Sequence, residues 1–256
     1  MKQFLPALLA PVVFTFAAFS APAFDHTHAR LGKVLTAHVK DGLVNYAALK
    51  AAPAELNAYL GDLAAVKETE FAVWSEPQRL AFLFNLYNAT TLKLITDHYP
   101  IASIKKIGGL FSGPWKQEVV RAWGRLFTLE ELEHGIVRAQ YREPRAHFAL
   151  VCAAVSCPPL RAEPYVADRL NAQLADQGKV FFAQRDKNRA DAAARVLWLS
   201  PIFKWFVEDF TSGGKTLTEF ALLYLPEADA KAVKQGGFKI KHTDYNWSLN
   251  DRATKQ

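Results

Sequence analysis

The chain has 256 residues, 50% of them hydrophobic and 22% charged, which is enough for one domain with a full core that needs no disulfide to hold it together. Its 31 basic and 25 acidic residues give a net charge of +6 and a pI near 9.2. The two signs are interspersed, so the balance favours loose attraction to anionic surfaces and argues against a dedicated nucleic-acid site.

Met1 to about Ala23 reads as a secretory signal: Lys2 near the start, an uncharged run from Phe4 to Phe19, then Ala21-Pro22-Ala23 as a small-x-small cleavage site. Pro6 and Pro11 interrupt the run, and it falls short of the roughly 20 residues that span a bilayer. The expectation is a leader over 1–23 and a single globular domain over 24–256, periplasmic or secreted. No transmembrane segment is expected in the mature protein, and no lipoprotein anchor, since no Cys follows the cleavage point.

No repeat, low-complexity tract or Gly/Ser linker marks a second domain. In chain order, His28 to His38 predicts a helix closed by Asp41-Gly42, followed by a short extended piece, Leu43 to Tyr46. Pro53 starts a helix through about Leu63, and Pro77 opens the longest, about Gln78 to Tyr99, stopped by Pro100. Ile107 to Pro114 predicts an exposed loop, and Gln117 to Phe127 a hairpin turning near Gly124. Thr128 and Glu131 form a capping box that opens a helix from Leu129 to Gln140.

His147 to Cys152 is apolar and bounded by Pro144 and the Ser156-Cys157-Pro158-Pro159 turn, which predicts a buried strand. Ala167 to Ala183 reads as a helix and Ala194 to Leu199 as a strand. Ser200-Pro201 opens a helix from Ile202 to Phe210, Thr216 opens another, and Phe238 to His242 is a final strand. The predicted class is α+β: a helix-rich single domain around a small, antiparallel sheet.

Reactive residue types are densest between Glu130 and Cys157. Glu130, His134 and Arg138 repeat every four positions and share a helix face; a solvated charged face is the plain explanation. A histidine beside Glu133 and within reach of Glu130 is also suitably held for general-base work, because a carboxylate supports the imidazolium. On the predicted strand His147 and Cys152 point to opposite faces, which disfavours a local dyad.

Cys152 and Cys157, five positions apart, either form a short-loop disulfide or leave at least one working thiol. Cys152 ends an apolar run and resembles a small buried hydrophobe; Cys157 sits on a constrained turn where backbone N–H groups would lower a thiol pKa. The cysteine and histidine spacing matches no strong zinc pattern, and no cofactor is expected. Asn85 and Asn88 lie amid apolar residues of the long helix, either in an internal polar network or on a site wall donating to an oxyanion. Tyr245 to Asn250 alternates aromatic and polar residues, as a packing plug or a binding rim would.

Seven segments occur in one order: Asp41 to Tyr46, Phe84 to Ala89, Leu129 to His134, His147 to Cys152, Ser156 to Leu160, Ile202 to Phe206, and Tyr245 to Asn250. Together the chain resembles the domain of unknown function 547 (DUF547) family over nearly all of its mature length. That resemblance implies a shared fold, and a kinship with papain/transglutaminase-like thiol enzymes that would imply acyl transfer or hydrolysis at peptide or amide bonds. Those enzymes usually present the cysteine before the histidine, whereas His134 and His147 precede Cys157 here.

Three classes follow. The first is a non-catalytic envelope binding or scaffold module whose partner is a peptide or cell-envelope component. The second is a thiol enzyme using Cys157 or Cys152, with His134 or His147 as base, Glu130 or Glu133 as its orienter, and Asn85 or Asn88 as donor. The third is a metal-dependent or other enzyme.

Overall fold

The computed structural model describes residues 23–109 and 112–255, so all of the expected leader except Ala23 lies outside the described residues. Asp25 accepts hydrogen bonds from the backbone N–H of Thr27 and Ala29 and so starts α1, Ala29–His38, which buries Leu31, Val34 and Leu35 at helical spacing. A tight hairpin follows, β1 Val39–Lys40 and β2 Leu43–Val44. At its tip Gly42 has φ +78, and a Cβ there would fall 2.3 Å from Cβ of Pro159. Only glycine lets the hairpin press against the proline turn after Cys157.

The predicted extended piece ends at Val44, because Asn45 caps a short helix, α2 Tyr46–Ala51, by accepting from the Ala48 N–H. Helices α3 Ala54–Ala65 and α4 Glu68–Ala72 lead into α5, Glu76–His98. Ser75 and Gln78 form the capping box of α5, with Pro77 in its first turn. From Leu80 through Leu92 every residue of α5 is buried, so it is the axis of the domain.

Two amides fix the loops around that axis. Asn85 donates to the Tyr165 carbonyl at 2.7 Å and accepts from the Tyr165 N–H at 3.0 Å. Asn88 donates to the Ala149 carbonyl at 2.9 Å and accepts from the Val151 N–H at 3.0 Å. Each carboxamide thus pairs with backbone as a neighbouring strand would, which satisfies buried groups that would otherwise be orphaned.

The hairpin β3 Glu118–Ala122 and β4 Arg125–Thr128 turns through Trp123 and Gly124, both with positive φ. The Thr128–Glu131 capping box is present, but the helix it opens winds wide: Glu131–Arg138 is π-helical before a last α turn, α6 Ala139–Tyr141. The predicted strand over His147 to Cys152 is corrected to one helical turn, α7 Ala146–Ala149, followed by extended residues. A short apolar run fits helix or strand equally; here the hydrogen bonds to Asn88 decide where the turn stops.

Helix α8, Leu170–Phe182, carries the chain to β5 Arg189–Asp191 and β6 Val196–Leu199. The predicted helix from Ile202 is broken at Phe206 (φ −120) into α9 Ile202–Trp205 and α10 Val207–Phe210. Then come α11 Leu217–Leu222, α12 Glu227–Val233 and β7 Lys239–His242. Strand β6 pairs antiparallel with β5 and parallel with β7. The domain is therefore helix-rich α+β, with its described strands in three small, mostly antiparallel sheets. No described helix is long and apolar enough to cross a membrane.

One apolar cluster surrounds α5; a second gathers Phe148, Phe181, Phe182, Phe203, Phe210 and Phe220. The turn α7 lies between them, giving Ala146 and Ala149 to the first and Phe148 to the second. The tail then runs along the cysteine loop: Val155 donates to the Ser248 carbonyl, Ser156 to that of Asn246, and Asn250 to that of Ala153. Replacing Asn85 or Asn88 by Ala should each cost about 1–3 kcal/mol, read as a lower urea midpoint at unchanged slope. Midpoints equal to the parent's would show that these paired amides do not hold the loops.

Candidate functional site

A cavity of about 270 Å³ opens where the π-helix, α7, the cysteine loop, α9 and the tail meet. Six residues singled out from the sequence line it: Glu130, Glu133, His134, His147, Cys152 and Cys157. Asn85 and Asn88 do not; both are committed to backbone partners outside its lining. Arg138 lies behind the wall and organises it.

Asp209, on α10, is the centre of the polar network. Its Oδ2 receives Nε2 of His147 at 2.6 Å and Nε of Arg138 at 2.6 Å, and its Oδ1 receives a second Arg138 nitrogen at 3.0 Å. Burial pushes the Asp209 carboxyl up, but the hydrogen bonds from His147 and Arg138 outweigh it and hold the group well below the usual carboxylate range. A carboxylate only accepts, so neutral His147 carries its proton on Nε2 and leaves Nδ1 as its acceptor atom. The ring stacks on Phe206 at 4.1 Å and 16°, and the Arg138 guanidinium covers Phe206 at 4.9 Å.

The same logic fixes the second histidine. Arg138 donates to Nδ1 of His134 at 3.0 Å, and a guanidinium has no acceptor, so neutral His134 carries its proton on Nε2. The orienting partners therefore differ from those predicted: Asp209 holds His147 and Arg138 holds His134, while Glu133 accepts from the Tyr87 hydroxyl at 3.2 Å. Burial, reinforced by the charge of Glu133, raises the Tyr87 phenol well above its ordinary value and keeps it a donor.

Cys152 and Cys157 are joined in a disulfide, and among the described residues there is no free cysteine. The Tyr245 hydroxyl lies 3.3 Å from one sulfur and 3.2 Å from the other, and Cys152 N–H points at Sγ of Cys157 at 3.1 Å. Burial raises the Tyr245 phenol too. His147 and the two cysteines line one cavity, and the parity argument that kept His147 from Cys152 falls with the strand it assumed. Among the described residues no three His, Cys, Asp or Glu side chains are grouped as metal ligands would be.

Aromatic rings also line the cavity. Tyr245 lies 4.8 Å from Trp205 and 4.5 Å from Trp247, and Trp115 meets Trp247 edge-on at 5.7 Å. The tail is thus both plug and rim, since Leu249 and Asn250 are buried while Tyr245 and Trp247 face the cavity. Sequence reasoning missed Asp209, Tyr87, Trp115 and Trp205 as site residues. Trp205 lay inside one of the recognised segments, but nothing local marks Asp209.

Residues 71–182 match the model of the family described as protein of unknown function, DUF547, which supports the resemblance read from the sequence. The match spans four of the seven recognised segments, those from Phe84 to Leu160. No curated protein matches the chain, and no solved structure does either.

Because the folded pKa of Asp209 is depressed, the stability it contributes is complete above the ordinary carboxylate value and is lost as pH falls below it. Between about pH 5 and pH 2 the parent should lose more stability than Asp209→Asn, whose charge is already gone. Parallel pH profiles for the two proteins would show that the carboxylate is not held by its partners.

Proposed function

We propose that the protein is exported, cleaved after Ala23, and acts in the cell envelope as a non-catalytic binding module for an amine-bearing peptide component. The observation that carries this reading is the cavity itself, lined by aromatic rings together with Glu130 and Glu133, with its two cysteines joined in a disulfide. Ring faces and carboxylates together complement a cation. At about 270 Å³ the cavity suits roughly one amino-acid residue rather than a long polymer segment.

Short peptides with a free amine should quench or enhance the fluorescence of Trp205 and Trp247 saturably. Glu133→Gln and Trp205→Ala should each weaken binding by about 10-fold or more. A flat titration with every envelope-derived peptide, or cleavage of the peptide during it, would overturn the binding reading.

A second reading, a thiol-dependent acyl-transfer or hydrolytic enzyme of papain/transglutaminase-like type, is favoured by one observation: a histidine held by a carboxylate shares the cavity with both sulfurs. It requires a reduced cysteine. After reduction, one thiol should alkylate with iodoacetamide well below pH 8, and His147→Ala should slow it. Alkylation no faster than in unfolded protein excludes this reading.

A further inference from the structure

Cleavage after Ala23 would leave Phe24-Asp25-His26 as the new amino terminus. An α-amine, the next two backbone amides and Nδ1 of a histidine at the third residue form four nitrogens in fused chelate rings. This is the tetragonal nitrogen field that Cu(II) and Ni(II) prefer. The position of His26 is the whole requirement: one residue more or fewer ahead of it breaks the ring set.

The structure packs the rings of Phe24 and His26 against each other and against Trp74. Phe24 packs edge-on against the His26 ring at 5.4 Å and stacks on Trp74 at 5.3 Å, while His26 meets Trp74 at 4.4 Å. Asp25 spends its carboxylate on the amides of Thr27 and Ala29, downstream of the chelating atoms. Among the described residues no hydrogen bond uses the amides of Asp25 or His26, and Nδ1 of His26 is buried without a hydrogen-bond partner. Asp25 and Glu70 place negative charge by the imidazole, which favours a dication there.

We infer that the mature protein binds one Cu(II) or Ni(II) ion at its amino terminus through the Phe24 amine, the amides of Asp25 and His26, and Nδ1 of His26. On coordination the ammonium and the two amides each release a proton to solvent, and no electron is transferred. The inference rests on the export reading above, because the Phe24 nitrogen is an amide until the leader is removed.

The test uses full-length protein recovered from the periplasm. Its first residue is fixed by mass, and it is then titrated with CuCl2 or NiCl2 alone. A start at Phe24, uptake of one ion with the visible absorption of a tetragonal nitrogen site, and quenching of Trp74 by Cu(II) are expected. His26→Ala should lose the band, and so should a protein with one extra Ala ahead of Phe24. The extended protein keeps every side chain, so its loss cannot come from misfolding. A first residue other than Phe24 overturns the cleavage reading and this site with it. A Phe24 start without the band, or a band that survives the added Ala, overturns the site alone.

Discussion

Two hydrogen bonds from one side chain, Asn88 to the Ala149 carbonyl and from the Val151 N–H, set the geometry on which the cavity depends. They lie on a helix that is buried all round, where an unpaired amide or backbone group has no water to turn to. Satisfying them stops α7 after one turn and starts the extended run into Cys152. His147, two residues before Ala149, and Cys152, one after Val151, are thereby both aimed into the same space. On the far side the tail's backbone pairs with Ala153, Val155 and Ser156, so the cysteine loop is clamped between a central helix and the last strand-like segment.

The second constraint is charge. Asp209 is only partly accessible and sits among Phe206 and Phe210, a place where a lone carboxylate would be costly. Arg138 meets it with two nitrogens, the bidentate geometry that a guanidinium makes best. His147 takes the remaining lone pair on Oδ2. This triad ties the π-helix to α7 and α10, three elements that share no backbone pairing. The wide winding of Glu131–Arg138 presents Glu133 and His134 to the cavity while Arg138 reaches behind it, and π-helical turns of this kind recur at functional sites.

What was legible in the sequence was local. The capping box read at Thr128 acts between residues three apart and is present, and Thr216, read as a helix start, opens its helix through the same kind of box with Glu219. Asn85 and Asn88 were readable as a network because an amide amid leucines and phenylalanines needs a partner, though not which one. The His147 to Cys152 run was misread because its deciding partner, Asn88, is 61 residues from Ala149 and 63 from Val151. Asp209 was invisible for the same reason: it is 62 residues from His147 and reads locally as one acidic residue in a short helix. The break at Phe206 left no proline or glycine to signal it.

The two readings of the cavity place different weight on the same groups. The His147–Asp209 pair needs no reaction to explain it, because a half-buried carboxylate among phenylalanines requires donors and the pair joins α7 to α10 whether or not a thiol is nearby. Most of the aromatic wall has a structural reason as well, since Trp115, Tyr245 and Trp247 pack against the apolar core, and Trp205 is the exception. Trp205 is 47% exposed and is not among the rings packed on either apolar cluster. A large ring left in water, in contact with Tyr245 and Trp247 at a cavity also lined by a closed disulfide, lowers the cost of receiving a ligand. The exposure of Trp205, more than the histidine and its carboxylate, is why we propose binding.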